Sequence, residues 1–217
     1  MDREKKRTDY DRWKQAVCVI LGICAAVFLT WSVTVNRSLA AQEKMAQTQV
    51  KLSGEVLRFH VPANSDSAED QEIKRKVRDE VIAYMQENMP ADLDVEGAKD
   101  WAREHLEELE AVADKVLACA GVDYRANAVV RTCYFPDKCY GDVFFPKGYY
   151  EALRIELGAA KGHNWWCVLY PNLCFTDATY TSVGEQGKKE LQNVLTEDAY
   201  EMVTAVSKFK IKSYFFG

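Results

Sequence analysis

One apolar run, Ala16 to Val35, constrains this chain more than any other feature; only Gly22, Thr30, Ser32 and Thr34 interrupt it. At about 1.5 Å of rise per residue a helix of this length covers roughly the 30 Å hydrocarbon layer of a bilayer. The run carries no polar face of the kind a soluble amphipathic helix needs. Arg3, Lys5, Lys6, Arg7, Arg12 and Lys14 precede it, against Arg37, Lys44 and Lys51 after it. That bias keeps the N-terminus in the cytoplasm and sends everything beyond residue 40 outside. Ser38 and Ala40 are small residues at the −3 and −1 positions of a signal-peptidase site. The run is long for a cleavable signal, so the favoured reading is a retained single-pass anchor, with a cleaved secretory signal as the alternative. Residues 1–15 are then a basic cytoplasmic cap, 16–35 the anchor or signal segment, and 36–54 a polar linker.

The net charge of the whole chain is −5. Residues 1–40 hold seven of the 28 basic and four of the 33 acidic residues, which leaves −8 on the exported part. An acidic domain is a poor match for nucleic acid or an anionic membrane surface, both of which select basic patches. A protein partner fits better, and the remaining length suits one domain with a real core.

Cys18 and Cys24 lie in the apolar run; the others are Cys119, Cys133, Cys139, Cys167 and Cys174. Disulfides are permitted outside the cytoplasm. Cys133 with Cys139, and Cys167 with Cys174, bridge if the chain folds back between each pair, the second around Tyr170-Pro171-Asn172. Cys119, on a helix, is left as the unpaired thiol. No spacing is that of a zinc site, and no metal or other cofactor is expected.

Leu57, Phe59 and Val61 alternate with Arg58 and His60, the period-two pattern of a strand with one strongly apolar face. Pro62 to Ser67 turns the chain, and Asp66 with Glu69 three residues on predicts a capping box. Ile73, Val77, Val81 and Met85 form one stripe of the following helix. A longer helix is expected from Asp94 to the C-capping Gly121. Strands are expected over 125–135, over 151–157 and through the tryptophan-rich run, with turns at 136–138 and 141–142. Residues 191–207 read as mainly helical. Lys208, Lys210 and Lys212 alternate with Phe209 and Ile211 as a terminal strand whose lysines guard an edge. The fold class is therefore α+β, an N-terminal transmembrane or signal helix followed by one exported domain with a mainly antiparallel sheet packed by helices.

Gly162 to Phe175 concentrates Trp165, Trp166, Cys167 and Cys174. Adjacent strand residues point to opposite faces, so the two indoles cannot enter one core. Either one looks outward as a partner contact, tryptophan being a frequent interface anchor, or the sheet is covered on both faces.

The sharpest enzymatic reading makes Cys167 a nucleophile, with His60 or His163 as base and Asn64, Asn164 or Asp66 as orienter, as in an anchored cell-envelope hydrolase. Oxidation to Cys174 would leave no thiolate to attack. Nucleotide-binding and metalloprotease motifs are absent from the sequence, and the favoured reading is a protein that is not an enzyme and takes no small-molecule substrate. The Asn64 to Ser67 turn also reads as a place where free amides hold a small anion, although capping alone explains those residue types.

Three ordered blocks carry a resemblance. Leu57 to Ser67 with Asp70-Gln71, Lys74 and Lys76 to Asp79 is the first; Phe135-Pro136, Tyr140-Gly141 and Phe145 to Ile155 the second; Gly158 to Gly162 with Asn164 to Phe175 the third. Together, over residues 55–176, they resemble the stage II sporulation protein R family. Cys119, Cys133, Cys139, Lys147 and Asn172 depart from that pattern, and residues 177–217, a C-terminal helix and tail, lie beyond it. The resemblance implies a signal of endospore formation, made in the forespore and exported into the intermembrane space. There it activates a membrane-embedded aspartic protease of the mother cell that processes pro-sigma-E. The expected contact surface includes Trp165 or Trp166, with Asn64, Ser65, Asp66, Asn164, Tyr149 and Tyr150 as neighbours.

Overall fold

The computed structural model describes residues 2–173 and 185–205, and the chain divides into two compact units, residues 1–47 and 48–217. Helix α1 spans Asp2–Glu55 and holds a segment long and apolar enough, by length and composition, to cross a membrane. The stretch expected to be a linker is helical as well: Gln42 to Leu52 is rich in Ala, Gln, Glu, Lys and Met, which lose little freedom in a helix. From Thr48 on, α1 belongs to the second unit.

That unit is built on a sheet in the order β2-β5-β1-β6, formed by β1 (Leu57–Pro62), β2 (Ala126–Phe135), β5 (Gly148–Leu157) and β6 (Asn164–Tyr170). Strand β1 runs parallel to β5 and antiparallel to β6, and β2 runs antiparallel to β5. The sheet is thus mainly antiparallel, as expected. A small hairpin, β3 (Lys138–Tyr140) with β4 (Val143–Phe145), occupies the predicted turn region.

Leu57, Phe59 and Val61 of β1, with Leu153, Ile155, Leu157, Cys167 and Leu169, face α2 (Ala68–Asn88), α3 (Val95–Glu104) and α4 (Leu106–Ala120). The predicted stripe Ile73, Val77, Val81 and Met85 is buried there. The opposite face is buried too. Leu52, Val56, Phe135, Phe145, Tyr150, Ala152 and Val168 pack with Leu191 of α5 (Glu185–Val194), Leu195 just after it, and Ala199 and Val203 of α6, the helix over 197–205. Every residue of β1 is therefore buried, Arg58 and His60 included.

Three helix boundaries differ from expectation, each for a local reason. The α2 N-cap is Ser67, whose Oγ accepts from the Asp70 amide at 3.1 Å, because Asp66 is drawn away to His163. Asp94 and Gly121 cap as predicted, the latter left-handed at φ 71°, but the helix between them breaks at His105. There the imidazole Nδ1 lies 2.8 Å from the Trp101 carbonyl and the ring stacks on Trp101. Near the C-terminus the break at 195–196 begins a new helix, the Thr196 amide donating to Glu55 at 3.0 Å. Cys133 is buried and Cys139 exposed, and both are free thiols, so the bridge expected between them is not formed: one faces the core and the other solvent. Cys167 is likewise a free, buried thiol; Cys174, the partner expected for it, and the strand expected over 208–216 lie outside the described residues.

Candidate partner-binding site

The buried carboxylate of Asp70, near the start of α2, decides where several predicted site residues go. It accepts from Asn64 Nδ2 at 3.0 Å, Ser65 Oγ at 2.5 Å and the Tyr124 hydroxyl at 2.5 Å. Burial pushes its pKa up, but the bonds from Ser65, Tyr124, Asn64 and Ser67 outweigh that and hold it below the ordinary carboxylate value. Burial, reinforced by the Asp70 carboxylate, pushes the Tyr124 phenol upward.

The same turn is sewn to the β5–β6 connection. Asn64 Oδ1 accepts from the Ala159 amide at 2.9 Å, and Asp66 accepts from the His163 amide at 2.6 Å and ring Nδ1 at 2.5 Å. His163 thereby holds the exposed Asp66 carboxyl below its usual range. A side chain at Gly162 would run into the Ser65 carbonyl, so the two backbones touch, and Lys74 closes the cluster on the His163 carbonyl at 2.9 Å. The Ser67 and Asp70 amides donate to Ser65 Oγ and Ser67 Oγ, which leaves them committed to capping and not to an anion. Asn64, Ser65 and Asp66 are built into the fold, and the Asp66 and His163 side chains of the cluster are exposed.

Trp165 and Trp166 lie on opposite faces, as alternation requires, and each is half-buried against its own layer. Trp165 meets Phe59 edge-on at 5.5 Å, with the Arg78 guanidinium 5.2 Å from its ring. Trp166 stacks on His60 at 4.9 Å and meets Phe135 at 4.7 Å. The indoles thus belong to a sheet covered on both sides. Asn164, half-buried, opens β6 opposite Pro62.

Around His60 the second face is unexpectedly cationic. Both ring nitrogens are buried without a hydrogen-bond partner; burial, then Arg154, Arg131 and Arg58, lower the pKa to about 3. Arg58 is fully buried, donating from Nε to the Cys167 carbonyl at 2.9 Å and from Nη2 to the Tyr140 hydroxyl at 2.9 Å. Phe135, Phe145 and Tyr150 surround its guanidinium at 4.3, 5.1 and 5.0 Å, an aromatic cage in place of a carboxylate. Cys167, by contrast, faces the α2–α4 core while His60 faces the other way, so the sheet itself separates the two members of the expected dyad. His163 turns its ring to Asp66.

Tyr150 is buried and donates to the Pro146 carbonyl at 2.7 Å. Its neighbour Tyr149 is 67% exposed and meets Tyr134, 50% exposed, edge-to-face at 5.5 Å. These two rings are register partners across β2 and β5. Sequence reasoning missed Tyr134. Extending the β5 strand back to Gly148 would have placed it opposite Tyr149.

A family model described as stage II sporulation protein R matches residues 53–180. The chain belongs to the stage II sporulation protein R family. It is 36% identical over 187 residues to the stage II sporulation protein R of Bacillus subtilis strain 168, covering 84% of this chain and 83% of that one. No solved structure matches. The family match takes in all four strands of the main sheet, the Asp70 network and the tyrosine pair. Family membership gives the chain a role in sporulation and places it among sporulation regulatory proteins.

Proposed function

We propose that this chain is the exported signal of endospore formation that activates the membrane-embedded aspartic protease processing pro-sigma-E. Its folded unit acts by contact, without bond chemistry of its own. Membership of the stage II sporulation protein R family over the whole sheet domain carries this reading. The apolar N-terminal helix supports delivery across a membrane, either anchored or released. Cys167 and His60 on opposite sides of the sheet speak against the hydrolase alternative.

The contact surface that fits best is the exposed Tyr134–Tyr149 pair, with Asp66 and His163 as a second, polar patch; the half-covered indoles pack on Phe59 and His60 in the two layers. Co-expression of the full chain with the protease and pro-sigma-E tests the reading. Shortened sigma-E should accumulate only when all three are present. Absence of processing with the chain folded and exported overturns it.

A further inference from the structure

Among the described residues strand β2 is an edge of the main sheet, ten residues long and in unbroken register with β5. Natural proteins blunt such edges with charge, proline, bulges or covering elements, because unpaired amides and carbonyls template another strand. The first half of β2 is blunted in this way. Asp114 and Glu110, from α4, accept from the outward amides of Ala126 and Ala128 at 2.8 and 2.7 Å.

Amide direction alternates along an antiparallel strand, so Val130, Thr132 and Tyr134 present their N–H groups on that same outer edge. Among the described residues no acidic side chain accepts from these amides, the register shows no bulge, and their side chains are β-branched or aromatic; the charge within the stretch, Arg131, lies on the other face, paired with Glu156. Thr132 and Tyr134 are exposed, and Tyr134 carries the ring pair with Tyr149.

We infer that residues 130–134 are a strand-addition site, where an extended segment of the receptor protein pairs antiparallel or parallel with the outer edge of β2. Its backbone takes the amides of Val130, Thr132 and Tyr134, and its alternate apolar side chains lie on Val130 and the tyrosine pair. The occupant is a peptide strand because the unmet groups are backbone donors at strand spacing, and it is uncharged on that face because the three side chains it would meet are uncharged. This deepens the activator reading and rests on it.

The test is Thr132→Pro in the full chain, co-expressed with the protease and pro-sigma-E. Proline is tolerated on an edge strand where its missing N–H faces outward, so the fold survives while one docking donor is lost. Processing should fall about tenfold or more, the scale of one or two lost interface hydrogen bonds. Wild-type-like processing by a Thr132→Pro chain with an unchanged melt overturns the edge site and leaves the activator reading standing. Failure of the wild-type chain itself to elicit processing overturns both. Should Thr132→Pro unfold, amide exchange on the wild-type chain decides: Val130, Thr132 and Tyr134 amides gain protection on adding receptor membranes. Unchanged exchange there, or protection that rises with the concentration of this chain alone, contradicts the inference.

Discussion

The imidazole of His60 lies flat on the indole of Trp166, centroids 4.9 Å apart and planes within 8°, with neither ring nitrogen hydrogen-bonded. A charged ring in that position would face Arg154, Arg131 and Arg58, with Glu156 already held by Arg154 at 2.5 Å and Arg131 at 2.9 Å.

Acid should therefore destabilise the domain early. The unfolded imidazole titrates near 6.5 and the folded one near 3, so between those values the unfolded chain binds a proton the native one refuses. The contribution of His60 is whole above the first value and shrinks as pH falls below it, by up to about 1.4 kcal/mol per pH unit. Urea midpoints should drop between pH 6.5 and 4.5 in the wild type and much less in His60→Phe. The carboxylates with lowered pKa, Asp70 and Asp66, lose their contribution only as pH falls below their unfolded value of 3.8, which separates the two effects.

Asp70→Ala strands the Asn64, Ser65 and Tyr124 donors together in a part-buried site. A loss of roughly 3 kcal/mol is expected from several orphaned partners, against about 1 kcal/mol for Ser67→Ala, which removes only the cap. Chemical denaturation of both variants checks the ratio; equal, small losses would show that the network is dispensable.

How much of this was legible follows the range of the interactions. Ile73, Val77, Val81 and Met85 declare their shared face within one helix, and the alternation at Trp165-Trp166 puts the indoles on opposite faces without any tertiary knowledge. The parallel pairing of β1 with β5 was not readable, because it joins Arg58 to Ala152 across most of the domain. The alternation left open whether the face of Arg58 and His60 is covered, because its cover, Leu52 and Val56 from one end with Leu191 and Val203 from the other, is assembled from segments far apart in sequence. Asn64, Ser65 and Asp66 had the right chemistry for a site, yet their partners, Tyr124, Ala159 and His163, are brought in only by the fold.

Stability and signalling should separate between the two kinds of aromatic residue. Trp165→Ala and Trp166→Ala each remove a packed, half-buried indole and should cost roughly 2–3 kcal/mol. Tyr134→Ala with Tyr149→Ala removes exposed rings and should cost less than about 1 kcal/mol while abolishing signalling. Paired melts and processing assays distinguish these outcomes.

Thiol chemistry should follow burial. In the native domain Cys119 and Cys139 alkylate readily, whereas Cys133 and Cys167 are shielded. After denaturation without reductant, Cys133 and Cys167, both free thiols, should label as well. Mass spectrometry of labelled peptides reads all four sites, and a Cys167 that stays unlabelled under those conditions would contradict the free thiol.

The central claim, activation by touch, is tested most directly by the processed fraction of pro-sigma-E in cells holding the protease and one form of this chain. Cys167→Ala should process as the wild type does, and the Tyr134→Ala, Tyr149→Ala double variant, folded and exported, should process no better than cells without the chain. Loss of processing in a folded Cys167→Ala chain, or full processing by the tyrosine double variant, would contradict it.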